Sequence, residues 1–120
     1  MFIRSVSKIP RKVSPGHGET TLYQHVFGSG TSDEKLTKTI RGFWRMTVKP
    51  GGTNKLHTHA DQEQIYFVVR GSGMVSVGDE KARLKAGDAV YLPPRLSHAF
   101  YNDTEKPCTI LAVSATVYVS

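Results

Sequence analysis

From residue 50 onward the chain is cut at short intervals by turn-forming groups: Pro50-Gly51-Gly52, Gly71-Ser72-Gly73, Gly78-Asp79, Gly87-Asp88, Pro93-Pro94 and Asn102-Asp103. The segments between them carry β-branched and aromatic residues. They are long enough for strands and too short for helices that bury a face. Strands are expected over residues 56–59, 64–69, 74–77, 82–84, 89–92, 98–101 and 109–119, preceded by two more over 20–27 and 43–48. Residues 32–40 read as at most a short helical turn. Residues 1–18, with Pro10, Pro15, Gly16 and Gly18, read as an extended arm, which leaves a barrel over 19–120. Many short strands joined by tight turns fold as an all-β antiparallel sandwich or barrel.

A chain of 120 residues supports one such domain. Its start has no apolar run of signal-peptide length, and no later stretch approaches the roughly 18 apolar residues of a membrane helix. The one cysteine, Cys108, rules out an internal disulfide and opens an apolar run, so a buried small hydrophobe in a reducing cytoplasm is expected. The net charge of +6 lies in the first half: residues 1–56 hold ten Lys/Arg against three Asp/Glu, and residues 57–120 hold six against seven. These charges are scattered and lack a reading helix or stacking aromatics, so nucleic-acid binding is disfavoured. Steering of small anions toward a site is the alternative use.

The chemistry gathers on histidines. His57 and His59 are two apart in a strand-like segment, and a period-2 pleat points such residues to one face. Gln64 opens the next strand and His98 a further one after a proline-bounded loop. A barrel can bring these strands around one point. Three imidazoles and an oxygen donor suit a first-row divalent metal: Fe, Mn, Ni, Cu or Zn.

The wider pattern resembles the cupin superfamily. Its first motif, G-x5-H-x-H-x3-4-E-x6-G, falls on Gly51, His57, His59 and Gly71; its second, G-x5-P-x-G-x2-H-x3-N, falls on Gly87, Pro93, His98 and Asn102. The resemblance covers residues 51–102, as motif one over 51–71 and motif two over 87–102. It implies a double-stranded β-helix (jelly-roll) barrel of the small one-domain kind, with His57, His59 and His98 as metal ligands. It also implies that the N-terminal arm pairs with a neighbouring subunit in a homodimer.

Two positions depart from the family pattern. Arg95 stands where the second motif has glycine, which predicts a loop without a positive φ. At the carboxylate ligand, the spacing back from Gly71 selects Gln64, while Glu63 fits the looser spacing. Adjacent strand residues face opposite ways, so only one of them can point inward. Gln64 is the preferred fourth ligand, with Glu63 the alternative. A neutral amide would leave the ion its full +2 charge, which favours a small anionic or enolisable oxygenated ligand.

Around the metal, Tyr66 shares the parity of Gln64 and is the candidate acid/base or hydrogen-bond donor. Phe100 shares the parity of His98 and is expected to wall the pocket. Of Trp44 and Arg45, alternation admits one; Arg45 inward would suit an anion and enters the candidate pocket. His17 and His25 lie outside the motifs and are not expected to bind metal. The first reading is a metal-dependent enzyme of dioxygenase, isomerase, cyclase or lyase type; the other is a non-catalytic metal- and ligand-binding module, since acid/base groups are sparse.

Overall fold

The computed structural model describes residues 1–14, 17–58 and 60–117, with the backbone alone described at 55–57. Ten strands carry the fold: β1 (Lys12–Val13), β2 (Thr21–Gly28), β3 (Ile40–Val48), β4 (Thr53–His57), β5 (Gln62–Arg70), β6 (Ser72–Val77), β7 (Glu80–Lys85), β8 (Ala89–Leu92), β9 (His98–Tyr101) and β10 (Cys108–Thr116). Single 3-10 turns lie at Val6–Lys8 and Glu34–Leu36, the latter inside the stretch read as a helical turn. No helix is long and apolar enough to cross a membrane.

The strands form two antiparallel sheets, β1-β2-β3-β10-β5-β8 and β4-β9-β6-β7. This is the jelly-roll arrangement expected of the sequence. Non-consecutive neighbours such as β3 and β10 make most contacts long-range, which is why the pattern of turns alone could not order the strands. The turn from β5 to β6 depends on Gly71: its φ of 84° favours glycine, and an added Cβ would lie 2.7 Å from the Pro107 carbonyl oxygen. The arginine in the second motif breaks the same rule. Arg95 has φ 70°, so the loop keeps the left-handed conformation that its substitution argued against.

Between the sheets lies a core of Met46, Val48, Tyr66, Val68, Val75, Leu84, Leu92, Phe100, Cys108 and Ile110. Cys108 is fully buried, and burial pushes its thiol pKa up to about 11, so it packs rather than reacts. The inner faces change character along the strands. On β10 the inward residues run Cys108, Ile110, Ala112 and then Ser114; on β5 they run Val68, Tyr66 and then Gln64. Register places Ser114 beside both Gln64 and Gly42, so the polar and small residues fall at one end of the barrel. That end is where a cavity opens.

The arm is docked on its own barrel. β1 pairs with β2 of the same chain. The Arg4 guanidinium donates to the Val26 carbonyl at 2.6 Å, pairs with Asp33 and covers the Phe27 ring at 4.7 Å. Gln24 donates to the carbonyls of Val6 and Ile9, and its own Oε1 accepts from Arg45 Nε at 2.8 Å.

Candidate functional site

A cavity of about 220 Å³ opens at the polar end, lined by residues of β2 (Tyr23, His25), β3 (Arg41, Trp44), β4 (Asn54), β5 (Gln62, Gln64, Tyr66) and β10 (Ser114), with His17, Ser14 and Ser29 beside them. Among the described residues its lining includes no Asp or Glu.

Of the motif residues, Gln64 lines the cavity, and the strands that carry His57 and His98 pair with each other. His57 closes β4, and its backbone is the register partner of His98 on β9. A register shift between Asn54 and His57 produces that pairing: Asn54 lies opposite Phe100, and the extra residue in β4 brings His57 opposite His98. Thr58 Oγ1 and Ser97 Oγ, 2.8 Å apart, tie the ends of the two motif segments together. His98 is 4 % exposed, and its ring meets that of Tyr66 edge-on at 6.1 Å. The side chain of His57 and all of His59 lie outside the described residues.

The two candidates for the fourth position lie on opposite faces of β5. Gln64 is 6 % exposed and lines the cavity; its Oε1 is buried with no hydrogen-bond partner among the described residues. Glu63 faces outward, where its carboxylate accepts from the Tyr91 hydroxyl at 2.8 Å. The hydrogen bond to this carboxylate raises the Tyr91 pKa. A buried amide oxygen without a donor is unfavourable unless something else occupies its lone pairs. A divalent cation does so, and the donor set therefore fits one.

Tyr66 is 1 % exposed and sits in a hydrogen-bonded chain. The Tyr23 hydroxyl donates to Asn54 Oδ1 at 3.0 Å, and Asn54 Nδ2 donates to the Tyr66 oxygen at 3.2 Å. Burial raises both phenol pKa values well above the ordinary tyrosine range. Tyr66 is thus protonated at neutral pH. Because its oxygen already accepts from Asn54, its own proton is available to donate elsewhere. It is suited to hydrogen-bond donation, not to proton abstraction.

Two expected pocket residues are elsewhere. Phe100 is fully buried within the core and is not among the cavity residues, because Gly73 lets the strand β6 close over it: a Cβ at Gly73 would lie 2.3 Å from the ring. Arg45 faces the outside of β3, where it orients Gln24 for the arm, and Trp44 takes the inward position. The pleat admits one of the two, and the docked arm supplies the reason for the choice.

His17, Tyr23, His25, Asn54 and Ser114 line the cavity without having been singled out as pocket residues. His25 is stacked on Tyr23, with ring centroids 5.7 Å apart and planes within 6°. Gly30 also lies against the ring, its φ of 87° bringing the backbone close enough that a Cβ would sit 2.4 Å from the imidazole. Burial, reinforced by the charge of Lys12, lowers the His25 pKa, so the ring is neutral at pH 7. At the rim, Arg41 forms an exposed ion pair with Asp61 at 3.3 Å.

The family model of the cupin domain matches residues 44–114, more than half of the chain. Over 71 residues the chain is 35% identical to an uncharacterized protein of Methanocaldococcus jannaschii, a match covering 59% of this chain and 57% of that one. It is 29% identical over 116 residues to an oxalate-binding protein of Thermotoga maritima, covering 94% of this chain and 92% of the relative. Among solved structures, a predicted oxalate decarboxylase from Thermotoga maritima superposes with a TM-score of 0.83 at 27% identity, covering 98% of this chain and 100% of that one.

Proposed function

The chain belongs to the cupin family, and from that premise we propose that it holds one divalent first-row metal through His57, His59, His98 and Gln64 and acts on a small anionic or enolisable oxygenated compound in the cavity. The observation that carries the reading is the Gln64 carbonyl oxygen, buried at the cavity without a hydrogen-bond partner among the described residues. A bound metal supplies a Lewis acid there, at its full +2 charge because every proposed ligand is neutral. The chain's own residues do the rest. Tyr66 donates a hydrogen bond to a developing oxyanion, with Asn54 holding its oxygen in place. The absence of Asp and Glu among the described lining residues favours an anion over a cation. The relative named for oxalate binding is in keeping with such a ligand.

A second reading, a binding module without turnover, is supported by the same lining. Among the described residues that line the cavity, only Tyr66, Tyr23, His17 and His25 are candidates to move a proton, and burial keeps the tyrosines protonated.

Elemental analysis after purification and reconstitution tests the metal. About one equivalent is expected in the wild-type protein and a clear loss in His98→Ala; a chain that takes up none refutes the reading. Turnover of hydroxy acids, dicarboxylates and β-diketones, with and without oxygen, separates enzyme from module. The expected homodimer and cytoplasmic location belong to this proposal as well. With the arm docked on its own barrel, the exposed row Ile65, Phe67, Val69 and Tyr91 on the larger sheet is the surface proposed to pair.

A further inference from the structure

Three buried polar atoms on cavity residues have no hydrogen-bond partner among the described residues: Gln64 Oε1, His25 Nδ1 and Trp44 Nε1. Each such atom is unfavourable by itself, so three in one cavity call for an occupant that satisfies them. The proposed metal accounts for Gln64. It does not account for the other two. β2, which carries His25, is separated from β5 by β3 and β10. Three strand spacings are about 14 Å in a flat sheet, somewhat less in a curved one. Side chains narrow that backbone separation, as the Tyr23–Asn54–Tyr66 hydrogen bonds across the barrel do, yet an ion at Gln64 lies on a different strand from the His25 and Trp44 nitrogens.

The far wall is built to hold its groups in place. His25 packs against the Tyr23 ring and the Gly30 backbone. Trp44 leans on Gly42, where an added Cβ would lie 3.3 Å from the indole. Of the two strands between β2 and β5, β10 presents the small residues Ala112 and Ser114 in the rows shared with Trp44, Tyr66 and Gln64. The indole N–H is a donor only, and a neutral imidazole can present a donor at Nδ1. Both suit a ligand oxygen. The volume of about 220 Å³ corresponds to about seven waters.

We propose that His25 and Trp44 form a second recognition site for the distal oxygen group of an elongated oxyanion whose other end lies at Gln64, so that the ligand is a two-ended compound longer than oxalate. The assignment of the near end rests on the metal reading; that of the far end rests on His25 and Trp44 alone.

Trp44 is the one tryptophan of the chain, so its fluorescence reports the far end directly. The full-length protein, metal-loaded and chelator-treated, is titrated with oxalate, malonate, succinate and glutarate, with butyrate as the single-ended control. Affinity should rise at least about tenfold from oxalate to glutarate, the scale of one hydrogen bond to a charged group. His25→Phe keeps the stacked ring and removes the nitrogen; it should abolish that rise and leave oxalate unchanged. Trp44→Phe, followed by calorimetry, should do the same, which guards against misfolding of either variant. A flat series, an equal loss for oxalate and glutarate in His25→Phe, or no binding by any diacid in the metal-loaded protein overturns the inference. A length dependence that survives in protein unable to take up metal overturns the metal reading alone.

Discussion

Arg95 holds a backbone conformation, φ 70°, in which a Cβ crowds the following carbonyl, and no other non-glycine residue among those described does so. The left-handed region costs an L-residue about 1–2 kcal/mol. The Arg95 side chain is exposed and makes no hydrogen bond or ion pair among the described residues, so its removal forfeits no polar interaction with them. Glycine in its place relieves the strain but adds freedom to the unfolded chain, an offset of about 0.4–1 kcal/mol. Arg95→Gly should therefore stabilise by about 0.5–1 kcal/mol, a rise in Tm of about 2–5 °C for a chain of this size. Thermal unfolding followed by circular dichroism measures it. Arg95→Ala is the decisive control, because alanine keeps the Cβ and with it most of the strain; its gain should be near zero. If Arg95→Gly were less stable than the parent, or alanine gained as much as glycine, the strain argument would be wrong.

Asn102 uses its whole amide. Nδ2 donates to the carbonyls of Val48 and Lys106, and Oδ1 accepts from the Thr104 backbone and hydroxyl. Asn102→Ala should cost about 3 kcal/mol in denaturant unfolding, since buried carbonyls lose their donor. His25 has its pKa lowered in the folded state, so the unfolded chain binds more protons between the two values and folding stability rises with pH there. The melting temperature should fall on acidification below the ordinary histidine pKa, and less steeply in His25→Phe. Gln64→Glu should tighten metal binding and weaken anion binding: one added charge about 6 Å from an anion, at an effective dielectric near 20, is worth about 3 kcal/mol, or roughly a hundredfold. Calorimetric titration of both ligands reads the two effects separately, and unchanged anion affinity in a metal-loaded variant would refute the charge argument.

Local signals located most of the strands because turn chemistry is local. Residues 89–92 and 98–101 are strands from end to end, bounded by Gly87-Asp88, Pro93-Pro94 and Asn102-Asp103. The pleat likewise separated Gln64 from Glu63, since period 2 is a property of the strand itself. Local reasoning failed where a contact is made by distant chain. The side of β3 that faces inward is set by Gln24 and the arm, which lie about twenty to forty residues away in sequence, and so Arg45 and Trp44 could not be assigned from alternation. Phe100 shares a parity with His98, but parity does not tell which end of the barrel a residue occupies. The register does: Phe100 lies opposite Val75 and Asn54, deeper in the core than His98.

The arginine at position 95 shows a different limit. A residue type states a preference, and the preference is worth about 1–2 kcal/mol, whereas the closure of a loop between two paired strands is fixed by many contacts at once. β8 is held by β5 and β9 by both β4 and β6, so the intervening segment must turn whatever residue it carries. The same inequality explains His25. Nothing in its neighbourhood in sequence marks it for a site. It reaches one because β2 pairs with β3, β3 with β10, and β10 with β5, which carries a single row from His25 through Trp44 and Ala112 to Tyr66. A motif built from β4, β5 and β9 can therefore point to the proposed metal end, while the end that would select among ligands is specified by strands outside the motif.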